Sequence, residues 1–173
     1  MSKLAFVLAL LLLIGAGTLW VQRLRAGGSS AAHAVSGVAR ALATPGPSGL
    51  ERVAKARESR EAKVRERCVA VGLPYPPREL FLRALKHEAQ LEVWGRETEG
   101  PFKLITTHAV LAASGKPGPK RREGDYQVPE GFYEIDLWNP ESKFHLSLRV
   151  NYPNESDRQL SDPNKPGHDI YIH

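Results

Sequence analysis

Apolar and polar positions divide the chain into four regimes. Leu4–Val21 is an unbroken apolar run of eighteen residues without a charge. At 1.5 Å per residue it makes about 27 Å of helix, close to the ~30 Å hydrocarbon thickness of a bilayer, and its apolar character all round speaks against a buried globular helix. Residues 1–22 are therefore expected to enter a membrane. Residues 23–49 turn to Gly, Ser, Ala, Thr and Pro, ending in Thr44-Pro-Gly-Pro-Ser-Gly49. Too little apolar surface is available there to offset the entropy of ordering, so a flexible linker is expected. Residues 50–72 begin with a helical pattern, Leu50–Arg67, free of Gly and Pro. Glu51/Lys55 and Glu61/Arg65 form favourable i,i+4 pairs, and Ser48 is a candidate cap. Its apolar stripe is thin (Leu50, Val53, Val64), which predicts a solvated charged helix resting loosely on the domain.

From Leu73 onward the period shortens. Glu79–Lys86, Leu91–Arg96 and Phe102–Leu111 read as strands separated by polar and Gly-Pro turns, a β-meander with Trp94 and Phe102 in its core. Phe132–Leu137 alternates behind the Pro129-Glu130-Gly131 turn. In Lys143–Val150, the set Phe144, Leu146, Leu148 and Val150 is expected in the core. Lys143, His145, Ser147 and Arg149 then form a polar face open to a cleft. In the last run His168, Ile170 and Ile172 share one face and Asp169, Tyr171 and His173 the other. That parity counts against His168 and His173 jointly binding a metal. Short strands, close turns and one leading helix predict a mainly β, sandwich-like domain over 73–173.

Charge locates the basic excess. Of the net +5, residues 22–67 carry ten Lys/Arg against four Asp/Glu, whereas 68–173 carry thirteen against fifteen. The folded region is slightly acidic, which excludes a basic face for nucleic acid. Positive charges flank the apolar run almost equally, Lys3 and the amino terminus against Arg23 and Arg25, so charge leaves its orientation open. Ala32-His33-Ala34 resembles a cleavage site but lies far beyond the run, favouring an uncleaved anchor. The lone Cys68 excludes a disulfide framework or a multi-cysteine metal site, no metal or other cofactor is indicated, and no local base marks the thiol as reactive. His145 and Ser147 alone do not establish a nucleophilic pair, because same-face strand neighbours commonly hydrogen-bond or meet solvent.

An ordered set of short words runs through the second half. It comprises Gly118-Pro119-Lys120, Arg122-Glu123-Gly124-Asp125, Pro129-Glu130-Gly131-Phe132-Tyr133, Asn139-Pro140, Ser142, Phe144–Leu148 and Asn151-Tyr152-Pro153-Asn154. With Lys86, Glu88 and Leu91–Trp94 upstream, it resembles the L,D-transpeptidase catalytic domain (the YkuD or ErfK/YbiS type), and within it the YafK-like murein transpeptidase branch. The resemblance implies the L,D-transpeptidase β fold, incomplete here, and cysteine acyl transfer on amides of peptidoglycan stem peptides. His173 matches the histidine of the Ile-His-Gly motif, the general base. Lys120, Arg122, Gly124, Asp125, Pro129, Glu130, Gly131, His145, Ser147 and Tyr152 match positions on the substrate side. The nucleophile of that family lies in a later Ser-x-Gly-Cys segment, which this sequence does not contain, and Cys68 stands in another context. The expectation is a C-terminally truncated, inactive chain anchored in the cytoplasmic membrane through residues 4–21, with its domain in the periplasm. The alternatives are a non-catalytic peptidoglycan-binding module and a tethered structural β-domain.

Overall fold

Ser48 caps the first element of the fold. In the computed structural model, residues 47–173 are described, and the Leu4–Val21 run and most of the predicted linker lie outside them. No helix among the described residues is long and apolar enough to cross a membrane. The Ser48 side chain accepts from the Glu51 amide (3.3 Å), and the Glu51 carboxylate accepts from the Ser48 amide (2.6 Å). This capping box satisfies two donors that helix geometry leaves free. Helix α1 then runs Gly49–Ala70, longer at both ends than the sequence pattern predicts, and stops at Gly72, whose positive φ of 67° lets the chain reverse.

Contrary to expectation, α1 is part of the core. Val53, Ala56, Val64 and Cys68 are all buried on its inner face. Two of these are small or sulfur-bearing residues, so a stripe counted in large aliphatics looked thinner than it is.

Sheet A is the expected antiparallel meander of β1 (Glu79–Leu85), β2 (Gln90–Arg96) and β3 (Lys103–Ala109), in the order β1-β2-β3 with a bulge at Val93/Trp94. Trp94 and Phe102 are only half-buried on it. The guanidinium of Arg83 lies 5.2 Å from the Trp94 ring centre and that of Arg96 lies 4.5 Å from Phe102, so cation–π contact replaces core packing.

Sheet B orders β4 (Ile135–Asn139), β5 (Ser147–Val150) and β6 (Tyr171–Ile172), again antiparallel. Here the expected strands are shifted and shortened. Phe132 precedes β4 and is 87% exposed; Phe144 lies in a turn before β5 and is 70% exposed. His145 has φ +81°, incompatible with a continuous strand, and so shares no strand face with Ser147, which is itself buried. The closing strand is two residues long, and Asp169 ahead of it has φ +57°, so the predicted alternation does not extend back to His168.

Six short strands against two helices make the described part mainly β in element count. One apolar cluster joins α1 (Val53, Ala56), β2 (Leu91, Val93) and the β5 region (Leu146, Leu148), so helix and both sheets share a core. A second cluster packs Val64 and Cys68 against Leu73 and Ile105. The short helix α2 (Glu155–Leu160) follows β5, with its own capping box from Asn154 and Asp157.

Candidate functional site

The 118–131 loop is held from inside by two lysine–carboxylate pairs. Gly124, with φ +75°, turns the chain so that Asp125 faces back over Arg121 and Arg122. The Asp125 carboxylate accepts from the amides of Arg121 (2.8 Å), Arg122 (3.0 Å) and Gln127 (3.0 Å), and from the Lys120 ammonium at 2.6 Å. Partial burial works against its ionisation, but Lys120 and the three amides outweigh it and hold the carboxyl well below the usual carboxylate range. Lys120 is buried and also donates to the Arg122 carbonyl.

Lys86, between β1 and β2, closes the two ends of the same loop. Its ammonium donates to the Gly118 carbonyl (2.7 Å) and the Val128 carbonyl (3.0 Å), and lies 2.9 Å from Glu130. Glu130 accepts in turn from the Gly118 amide, and Lys86, followed by that amide, lowers its pKa. Pro129 is half-buried beside it, whereas Gly131 and Arg122 are exposed.

This loop braces the segment leading to His173. The Glu123 amide donates to the Lys165 carbonyl, the Asp162 amide donates to the Arg121 carbonyl, and the buried Tyr152 hydroxyl donates to the Pro166 carbonyl. Gly167 passes so close to the Lys120 stem that a Cβ there would collide with its Cε. Beyond it β6 pairs with β5, Ile172 opposite Leu148, and His173 follows.

His173 meets Phe144 edge-on, ring centres 4.6 Å apart at 86°. His173 is exposed, yet partial desolvation by its neighbours lowers the pKa of its imidazole, in the direction that favours the neutral, proton-accepting ring. The Phe144 turn is fixed from α1: the Arg52 guanidinium donates to the Ser142 and His145 carbonyls, and the Gly49 amide donates to Glu141. His145 lies on the exposed side of this turn. Cys68 is fully buried, and burial raises its thiol pKa, the opposite of an activated nucleophile.

No family model matches the chain, and neither does any solved structure. Over 81 residues, 46% of its length, it is 30% identical to proteins named "Putative L,D-transpeptidase YafK" from Escherichia coli K12 and from Escherichia coli O157:H7. It spans about a third of those relatives. The match is to 32% of each.

The structure thus gathers Lys86, Lys120, Asp125 and Glu130 at one loop. It places Tyr152 behind the 162–167 segment and His173 beyond it. Ser147 is enclosed and stands apart from the loop's network. Sequence reasoning missed Phe144 as the neighbour of His173, because an alternating pattern assigned that ring to the core. It also missed the Tyr133 hydroxyl, which donates to the buried Asp157 at 3.0 Å; burial first and then this carboxylate raise the phenol pKa. The Asn154-x-x-Asp157 spacing was the available signal for the latter.

Proposed function

We propose that residues 73–173 form the stem-peptide-binding and general-base portion of an L,D-transpeptidase-like domain of the cell wall. The 30% identity over 81 residues carries this reading, and the loop geometry supports it. Two internal pairs rigidify the 118–131 turn, leave the Arg122 guanidinium exposed for a stem-peptide carboxylate, and brace the segment that ends in His173. In the proposed chemistry a thiolate attacks the carbonyl carbon of a stem-peptide amide after its proton passes to the neutral imidazole of His173. The C–N bond breaks, the leaving amine takes that proton, and the thioester is resolved by an incoming amine or water. No residue of this chain is assigned the thiol, since its one cysteine is buried at the end of α1. The domain is proposed to work outside the cytoplasmic membrane, tethered through residues 4–21.

The burial of Cys68 favours a second reading for the chain as it stands, a tethered module that binds stem peptides without turning them over. Full-length chain in mild detergent, incubated with purified sacculi and sedimented, tests the shared part of both. Retention that is competed by free tetrapeptide stems is expected. A chain left in the supernatant would overturn both readings, and amide cleavage abolished by Cys68→Ser would overturn the assignment of Cys68 as structural.

A further inference from the structure

Between α1 and the outer strand of sheet A lies a second polar cluster, remote in sequence from the loop described above. β3 is an edge strand, paired only with β2 among the described elements. From its face toward the helix, the Thr106 hydroxyl accepts from Arg67 at 2.6 Å, and two residues on, His108 is 93% buried with no partner for Nε2. On the helix, Arg60 lies one turn from Ala56 and one from Val64, on the inner face, and its Nε is likewise buried without a partner. Leu91 is opposite His108 in the sheet and packs in the cluster holding Ala56, whereas Ile105 packs with Val64 and Cys68. The helix therefore runs antiparallel to β3; Arg67 sits beside Thr106 and is the charge that acts on His108, and Arg60 lies two turns back on the same helix face.

The local carboxylates do not neutralise this pair of guanidiniums. Glu61, the acidic residue beside Arg60, is taken by Arg57 (2.7 Å) and Arg65 (3.4 Å), and Arg67 meets only a hydroxyl. A half-buried Arg60 whose Nε lacks a partner, a half-buried Arg67 held only by a hydroxyl, and an unsatisfied imidazole leave polar groups to be met beside this strand edge. A strand edge offers backbone donors and acceptors in a row, and residues at every second position of an added strand would look toward α1.

We propose that this edge docks an extended acidic peptide segment, which pairs with β3 by strand addition and places alternate carboxylates on Arg60 and Arg67. Hydrogen bonds along β3 supply affinity that is independent of sequence. The guanidiniums select acidic side chains at alternate positions. The site lies on sheet A, while His173 follows the last strand of sheet B, so occupation of one does not require the other.

The test uses the full-length chain in detergent and a fluorescent peptide of about eight residues alternating valine and aspartate. Binding is expected to fall at least about tenfold when asparagine replaces aspartate, and again in Arg60→Gln/Arg67→Gln. Arg60→Lys/Arg67→Lys, which keeps the charge, is expected to retain binding, and bound peptide should slow hydrogen exchange in β3. Equal affinity for the asparagine peptide, or unchanged binding by the glutamine variant, overturns the proposal. So does full competition by inorganic phosphate with no β3 protection, which would leave only a small-anion site. Self-association that protects β3 without peptide would instead give the edge to a second copy.

Discussion

The Lys120 ammonium and the Asp125 carboxylate meet at 2.6 Å with only 7% and 14% of their side chains exposed, inside a loop that otherwise lies on the surface. Removing one partner strands the other charge. Lys120→Met is expected to destabilise the domain by about 3 kcal/mol, the scale of breaking a buried pair, read as a lower urea midpoint at unchanged slope. The pH dependence has a definite sign. The folded pKa of Asp125 is depressed, so its contribution is complete above the ordinary aspartate value of 3.8 and is lost as pH falls through the folded value. Asp125→Asn should flatten the acid limb of stability, and a limb as steep as in the parent protein would count against the pair.

The pair also shows what the sequence could and could not disclose. Gly124-Asp125 announced a turn, because positive φ and an Asx bond are local properties of those residues. The meander β1–β3 was legible for the same reason, alternation bounded by turns. The tie between α1 and the turn at 141–145 was not, since Arg52 and Gly49 reach residues about ninety positions away. That tie lifts Phe144 out of the strand pattern and sets it against His173. Apolar alternation assigned Phe144 to the core on the assumption that an apolar side chain on a strand is buried; it lies just outside β5, where the assumption fails.

For His173 the expectation concerns its imidazole directly. Its pKa is lowered from the ordinary 6.5 by partial desolvation, although the residue itself is exposed. Phe144→Ala opens one side of that environment, so the pKa should move up toward 6.5, followed by the imidazole carbon-bound proton shifts across a pH titration. An unchanged titration would show that Phe144 does not shield the base.

Cys68 should behave as a buried structural thiol. Desolvation raises its pKa, and no solvent reaches it in the folded state. In native buffer, reaction with an aromatic disulfide reagent is expected to be slower than for the unfolded chain by at least about a hundredfold, and to recover in urea. Equal rates in the two conditions would place the thiol at the surface and reopen it as a nucleophile.

His108 predicts acid sensitivity from the other side of the molecule. Burial, and then the nearby charge of Arg67, lower its folded pKa below 6.5. The unfolded chain thus takes up a proton that the folded chain resists. Stability from this group is fully present above about pH 6.5 and is lost as pH falls through the interval beneath it. Urea midpoints measured at pH 7.5 and at pH 5.5 should differ more for the parent chain than for His108→Leu, where no proton can be gained at that position. The substitution also removes the unpartnered Nε2 without emptying the space, so its midpoint at pH 7.5 should not fall far. A pH difference identical in the two proteins would mean that the acid sensitivity comes from elsewhere, with His173, whose pKa is lowered in the same direction, as the next group to replace.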